Sequence, residues 1–203
     1  MKIFNLTKDS SIYTANAYLV LGTWNAIQDV NTLVDVGRDP LIIDAVKAIN
    51  TGLGKPKVNQ VILTHSHYDH TSMLPEIKKH FKPSVYAFSR FLSGVDYQVK
   101  DNQKISIADE TFEIIYSPGH SHDSICLYCE AEGILFSGDT PVIIYTQDGT
   151  YEPTFIAAME KISQRDIQII YPGHGNPIDR NCNDLIHQTL LNVRKNEYDH
   201  NRC

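Results

Sequence analysis

The stretch Thr64-His65-Ser66-His67-Tyr68-Asp69-His70 limits what this chain can fold into more than any other. It follows an apolar run, Val58-Asn59-Gln60-Val61-Ile62-Leu63, which reads as a buried strand over 58–63. Side chains two apart on an extended segment point the same way, so His65 and His67 can converge on one point. A helix starting near Thr71 would curl the chain at 68–70 and turn Asp69 and His70 toward a neighbouring point. An isolated His at a strand end is ordinarily a satisfied surface or core residue. Packed together without a metal, these ligand-type side chains would strain one another's protonation near neutral pH. Imidazoles with a carboxylate suit zinc or non-haem iron better than magnesium or calcium.

Three later segments repeat the pattern of apolar strand, Gly-containing turn and ligand-type residue. They are Ile114-Ile115-Tyr116-Ser117-Pro118-Gly119-His120, Ile134-Leu135-Phe136-Ser137-Gly138-Asp139-Thr140 and Ile169-Ile170-Tyr171-Pro172-Gly173-His174-Gly175. A ligand at the end of a strand is held accurately. A Gly just before it permits a tight turn and close backbone approach. Each segment alone is weak evidence; the four together define a site.

The rest of the chain gives a mixed pattern of strands and helices. Strands are expected over 12–21, 32–36, 84–88, 125–129, 133–136 and 167–171, with a hairpin of 104–107 and 111–116 around Asp109-Glu110. Helices are expected over 41–50, opened by Pro40, and over 72–81, 153–162 and 183–198, with a short one over 89–93. No linker or low-complexity run divides the 203 residues, so one domain over 1–203 is expected. Hairpins and crossovers together favour an α+β arrangement of two sheet layers covered by helices.

Composition narrows the function. A net charge of −6 argues against broad nucleic-acid or anionic-membrane binding. The opening Met1-Lys2-Ile3-Phe4-Asn5-Leu6-Thr7 turns polar too early for a signal peptide, and no apolar run reaches spanning length. The cysteines are Cys126, Cys129, Cys182 and Cys203. Cys126 and Cys129 form a C-x-x-C inside an expected strand, where residues three apart face opposite sides. They therefore read as two buried thiols rather than a redox pair. Reduced cysteines without an export signal point to the cytoplasm.

With these motifs in order, the sequence resembles the metallo-β-lactamase-fold superfamily over about residues 12–178. The resemblance implies a four-layer αβ/βα sandwich of two mixed sheets with metals at one edge. It implies that His65, His67 and His120 hold one metal, that Asp69, His70 and His174 hold a second, and that Asp139 bridges them. The cofactor implied is two divalent ions, zinc first, with iron or manganese as alternatives. Asp139 makes the resemblance closest to glyoxalase-II-like thioesterases and lactonases. His67 stands where the flavodiiron branch carries Glu.

The activity implied is hydrolysis of a thioester, lactone or similar ester of a small molecule by a metal-activated bridging hydroxide, with Asp69 and Asp139 as catalytic carboxylates. A mononuclear-iron persulfide dioxygenase, a phosphodiesterase or nuclease, and a non-catalytic metal-holding sensor are the alternatives. Glyoxalase II relatives carry a basic C-terminal helical domain, whereas only helix 183–198 with Arg194 and Lys195 follows the last ligand here, which counts against a glutathione thioester. Lactonase relatives place a Tyr at the carbonyl, a role open to Tyr145. Tyr68 and His122 are candidates to line the pocket, and Asp35 and Thr64 to orient a ligand His. Asp123 reads as a turn residue. Asp44, His80, His187 and His200 read as solvated helix surface.

Overall fold

The computed structural model describes the backbone of residues 1–147 and 149–200, and the side chains up to 194. Cys203 and the side chains of Lys195 and His200 lie outside the described residues.

Among the described residues, eleven strands form two sheets. The first contains β1 (Lys2–Asn5), β2 (Tyr18–Leu21), β3 (Thr32–Val34), β4 (Gln60–Ile62), β5 (Ser84–Ala87) and β6 (Tyr97–Gln98), in that order across the sheet. The second contains β7 (Lys104–Ile107), β8 (Glu110–Tyr116), β9 (Ile125–Cys129), β10 (Ile134–Gly138) and β11 (Ile169–Pro172), again in sequence order. The helices are α1 (Ile42–Ala48), α2 (Tyr68–Thr71), α3 (Leu74–Phe81), α4 (Pro153–Ser163) and α5 (Cys182–His200).

Side-chain alternation sorts these elements into four layers. On the first sheet, Leu19, Leu21, Leu33, Val61 and Val85 pack against Ile42 and Val46 of α1 and Leu74 and Ile77 of α3. Their strand neighbours Tyr18, Val20, Val34 and Ile62 face the other way. They meet Phe112, Ile114, Leu127 and Phe136 of the second sheet. On that sheet, Ile115, Cys126, Tyr128 and Leu135 face outward onto Phe155, Met159 and Ile162 of α4 and Ile186, Leu190 and Val193 of α5. Strands buried on both faces are continuously apolar, which is why these runs show no polar alternation. The two sheets flanked by helices are the expected α+β sandwich. Cys126 lies in the outer layer and Cys129 between the sheets, so the C-x-x-C thiols point to opposite faces, and both are free and buried.

The sheet directions gather the ligand segments. β3, β4 and β5 run parallel, and so do β10 and β11. β8 is antiparallel to β9 and β9 to β10, so β8 also runs with β10. The carboxyl ends of β4, β8, β10 and β11 thus come to one edge, each carrying one of the four motifs. A bond from Ile125 N to Thr64 O, 2.9 Å, ties the two sheets together there.

Several sequence expectations shift. The strand over 12–21 is confined to β2, because residues 13–16 instead bind the ligand loops. β1 was hidden in the polar opening; it is a partly exposed edge strand paired with β2. The short helix over 89–93 is a turn instead. There Ser89 Oγ accepts from Phe91 N at 3.4 Å, a side-chain bond that competes with helix, and Gly94 adopts φ +89°. The two-residue β6 follows it. The helix after the motif begins earlier than 72, with Asp69 and His70 already inside α2.

Candidate metal centre

Seven side chains meet at the sheet edge. Donor atoms of His65, His67 and His120 lie within 4.8 Å of one another, and so do those of Asp69, His70, Asp139 and His174. Donors that each stand roughly 2.0–2.2 Å from one zinc lie about 3–4 Å from one another, so either group is compact enough to hold an ion. Asp139 joins the groups. Its Oδ2 is 3.5 Å from His120 Nε2, 3.5 Å from His174 Nε2 and 4.0 Å from His65 Nε2, while Oδ1 is 3.2 Å from His70 Nε2. Asp69 Oδ2 stands 3.0 Å from His174 Nε2 and 3.9 Å from His70 Nε2.

The fit to metal rests on polar atoms left over inside the fold. His65 Nε2, His70 Nε2 and Asp139 Oδ1 are buried without a hydrogen-bond partner. The 3.2 Å approach of His70 to Asp139 is an ion-pair distance without hydrogen-bond alignment. Orphaned buried polar atoms are costly, and three that converge on one point need a common partner. Five imidazoles and two carboxylates are a donor set for zinc, iron or manganese.

A rigid shell holds the donors. Asp35 is buried at the end of β3, with a left-handed backbone at φ +56°. Its Oδ1 accepts from Thr64 N at 2.8 Å, and its Oδ2 accepts from Thr64 Oγ1 at 2.8 Å. Oδ2 is also 2.8 Å from His70 Nδ1. This contact puts the His70 proton on Nδ1 and leaves Nε2 to face the centre, the usual outer carboxylate arrangement. The glycines before the ligands are sterically required. Gly138 has φ +50°, and a Cβ there would stand 2.6 Å from Thr64 Oγ1. A Cβ on Gly173 would stand 2.8 Å from His70 Cε1 and press on Asp139.

The electrostatics favour positive charge between the carboxylates. Burial pulls the His70 pKa down, but Asp35 and Asp139 outweigh it and lift it to about 10. Burial pushes Asp139 up, but His70, then His174 and His65, hold it at about 2. His65 falls to about 4, mainly through burial, helped by the neighbouring His70. His120 is lowered, again chiefly by burial.

The structure brings together all seven ligand-type residues that the sequence singled out. Asp35 and Thr64 stand behind them, and His122 lines the cavity beside His67 and His120. Two other candidates are exposed side chains. Tyr68 is exposed on the outer side of α2, where the Arg38 guanidinium lies 5.5 Å from its ring. Tyr145 is 77% exposed and is not among the lining residues of the 610, 310 and 300 Å³ cavities beside the donors. Asp123 is a turn residue, accepting from Ser121 Oγ at 2.8 Å. Asp44, His80 and His187 lie on helix surface.

Sequence reasoning missed Tyr13. Its ring stacks on His174, 5.2 Å between centroids at 14°, with its hydroxyl 3.5 Å from His174 Nε2. Ala15 N donates to Asp69 O at 3.2 Å and Asn16 N to Gly173 O at 2.7 Å, fastening the 13–16 segment onto both ligand loops. The tyrosine hydroxyl pKa is raised, by burial first and then by Asp69 and Asp139.

The family model for the metallo-beta-lactamase superfamily matches residues 13–174, from Tyr13 through the last ligand. This chain belongs to the metallo-beta-lactamase superfamily. It is 26% identical over 174 residues to an atrochrysone carboxyl ACP thioesterase of Aspergillus fumigatus, covering 80% of this chain and 41% of that one. It is 29% identical over 176 residues to a protein of the same name from Emericella nidulans, covering 78% and 55%. The chain spans about half the length of the curated relatives it matches. Among solved structures, a metallo-beta-lactamase family protein of Thermus thermophilus superposes with a TM-score of 0.67 at 16% identity. That match covers 96% of this chain and 79% of the other and shows the shared fold. Among the described residues, no helix of this superfamily member is long and apolar enough to cross a membrane.

Proposed function

We propose that this protein is a dinuclear metallohydrolase of the glyoxalase-II-like kind that cleaves a thioester of a small or carrier-linked acyl group. The observation that carries this reading is the pair of donor groups sharing Asp139. His65, His67 and His120 would hold one ion, Asp69, His70 and His174 the other, and Asp139 would serve both. A mononuclear-iron dioxygenase of the same fold would carry the same motif, and metal content with oxygen uptake separates it from the hydrolase. The thioester rather than the lactone is chosen because the named relatives are thioesterases.

Two divalent ions held there would polarise a carbonyl and lower the pKa of a bound water toward neutrality. The chain's residues do the rest. Asp139 aligns the water by accepting its hydrogen bond. Asp69, 19% exposed at its side chain, accepts the proton released as the new C–O bond forms. It returns that proton to the sulfur as the C–S bond breaks, giving a carboxylate and a thiol. Asp35 keeps His70 oriented throughout, and no Ser or Cys nucleophile is used.

Asp139→Asn tests the assignment. The variant is expected to lose turnover together with one ion, measured by metal analysis and thioester hydrolysis on the same sample. Full metal content with unchanged turnover would overturn the role given to Asp139.

A further inference from the structure

A cavity of about 610 Å³ opens beside the donor site and is lined by His67, Phe88, Arg90, Phe91, His120 and His122. Its floor is rigid. Phe88 stacks on Tyr116 at 4.2 Å and 9°, and Tyr116 donates to His122 O at 2.9 Å. The floor is therefore fastened to the turn that carries His120. Gln98 Nε2 donates to Phe88 O at 3.0 Å and fixes the other side. The rim is the 89–94 turn. Phe91 is 84% exposed there, and the Arg90 guanidinium lies 4.9 Å from its ring. Among the described residues no carboxylate pairs with Arg90. Asp123, the carboxylate on the cavity wall, is occupied by Ser121.

A second cavity, about 300 Å³, also touches His120 and is lined by Asp139, Pro141, Tyr151 and Phe155. A thioester with its carbonyl at the donor site has both spaces within reach through His120. The smaller space suits an unbranched thiol arm, and the larger one, with Phe88 and Phe91 in its lining, suits a ring.

Resting on the thioesterase reading above, we propose that the 610 Å³ cavity seats the acyl group, and that the acyl group is a planar aromatic acid. Its ring lies against Phe88 and Phe91, and its free carboxylate pairs with Arg90. Aromatic faces favour stacked rings, and a guanidinium matches a carboxylate in shape as well as charge. The carboxylate goes to Arg90, the cation of the cavity lining, and is repelled by Asp123, its carboxylate.

The test uses N-acetylcysteamine thioesters of benzoic, 3-carboxybenzoic and hexanoic acid on metal-loaded protein. The native chain is expected to favour the 3-carboxybenzoyl thioester over the benzoyl one in kcat/KM by about fivefold, what one accessible ion pair supports. Arg90→Ala abolishes that preference and Arg90→Glu inverts it. Phe91→Ala lowers both aromatic substrates about fivefold relative to hexanoyl. A preference unchanged in both Arg90 variants, or a native preference for hexanoyl, overturns the proposal. Calorimetric titration with benzene-1,3-dicarboxylate separates the two levels of inference. If no thioester turns over, the hydrolase reading falls. Binding that weakens in Arg90→Ala then still supports the cavity assignment, and equal binding in both proteins overturns it.

Discussion

Asp35→Asn isolates the carboxylate behind the centre. The residue is buried and its two oxygens face three donors: Thr64 N at Oδ1, and Thr64 Oγ1 and His70 Nδ1 at Oδ2, each at 2.8 Å. An amide has one acceptor oxygen. If that oxygen faces His70, the NH₂ meets the fixed backbone N–H of Thr64. If it faces Thr64, the NH₂ meets the His70 N–H, and His70 must move its proton to Nε2, the atom that faces the centre. Either orientation leaves a buried donor unmatched, and a hydrogen bond to a charged group is worth about 1.5–3 kcal/mol. Loss of such an outer carboxylate typically weakens metal affinity by about 10–100-fold. The expected result is a variant that folds, keeps the ion at His65, His67 and His120, and binds the second about 10–100-fold more weakly. Metal titration against a competing chelator, read with circular dichroism, checks both parts. Native affinity for two ions would refute the claim that Asp35 orients His70.

Other perturbations follow from the same geometry. Gly173→Ala forces a methyl group between His70 and Asp139 and is expected to remove metal binding and lower Tm, seen by metal analysis and calorimetry. His70 is protonated in the metal-free fold up to about pH 10, so an ion must displace that proton. Affinity for the second ion should therefore rise by about tenfold per pH unit between 6.5 and 9, with proton release seen in buffers of different ionisation enthalpy. The sign for stability is the reverse: a pKa raised from 6.5 to about 10 stabilises the metal-free fold fully below pH 6.5 and is lost as pH climbs through 10, so its Tm should fall over that range. Tyr13→Phe should lower kcat with metal content unchanged, whereas Tyr145→Phe should alter neither; the opposite ranking would restore Tyr145 to the site.

The donor set was legible because its parts are local. Four motifs each place a ligand directly after a strand, and the parallel run of β8, β10 and β11 then makes their meeting automatic. Asp35 was legible for the same reason, as a carboxylate at a strand end. Tyr13 was not. It sits in a loop of polar residues with no periodicity, and its neighbours Ala15 and Asn16 bring it to His174 through bonds to Asp69, Pro172, Gly173 and Gly175 far along the chain. The Phe88–Phe91 wall was hidden by reading 89–93 as helix. Its meaning depends on β6, a two-residue strand too short to announce itself. Tyr145 came from resemblance rather than from its own surroundings, and an exposed loop position has no local signal to correct that.

The central claim is a two-ion centre that hydrolyses thioesters, and one titration meets it directly. Protein stripped by chelator would receive zinc stepwise while thioester hydrolysis is followed at each addition. The account predicts no turnover at the start and a plateau at about two equivalents per chain, as a shared centre requires. Turnover in the stripped protein, a plateau at about one equivalent, or no hydrolysis at any loading would contradict it.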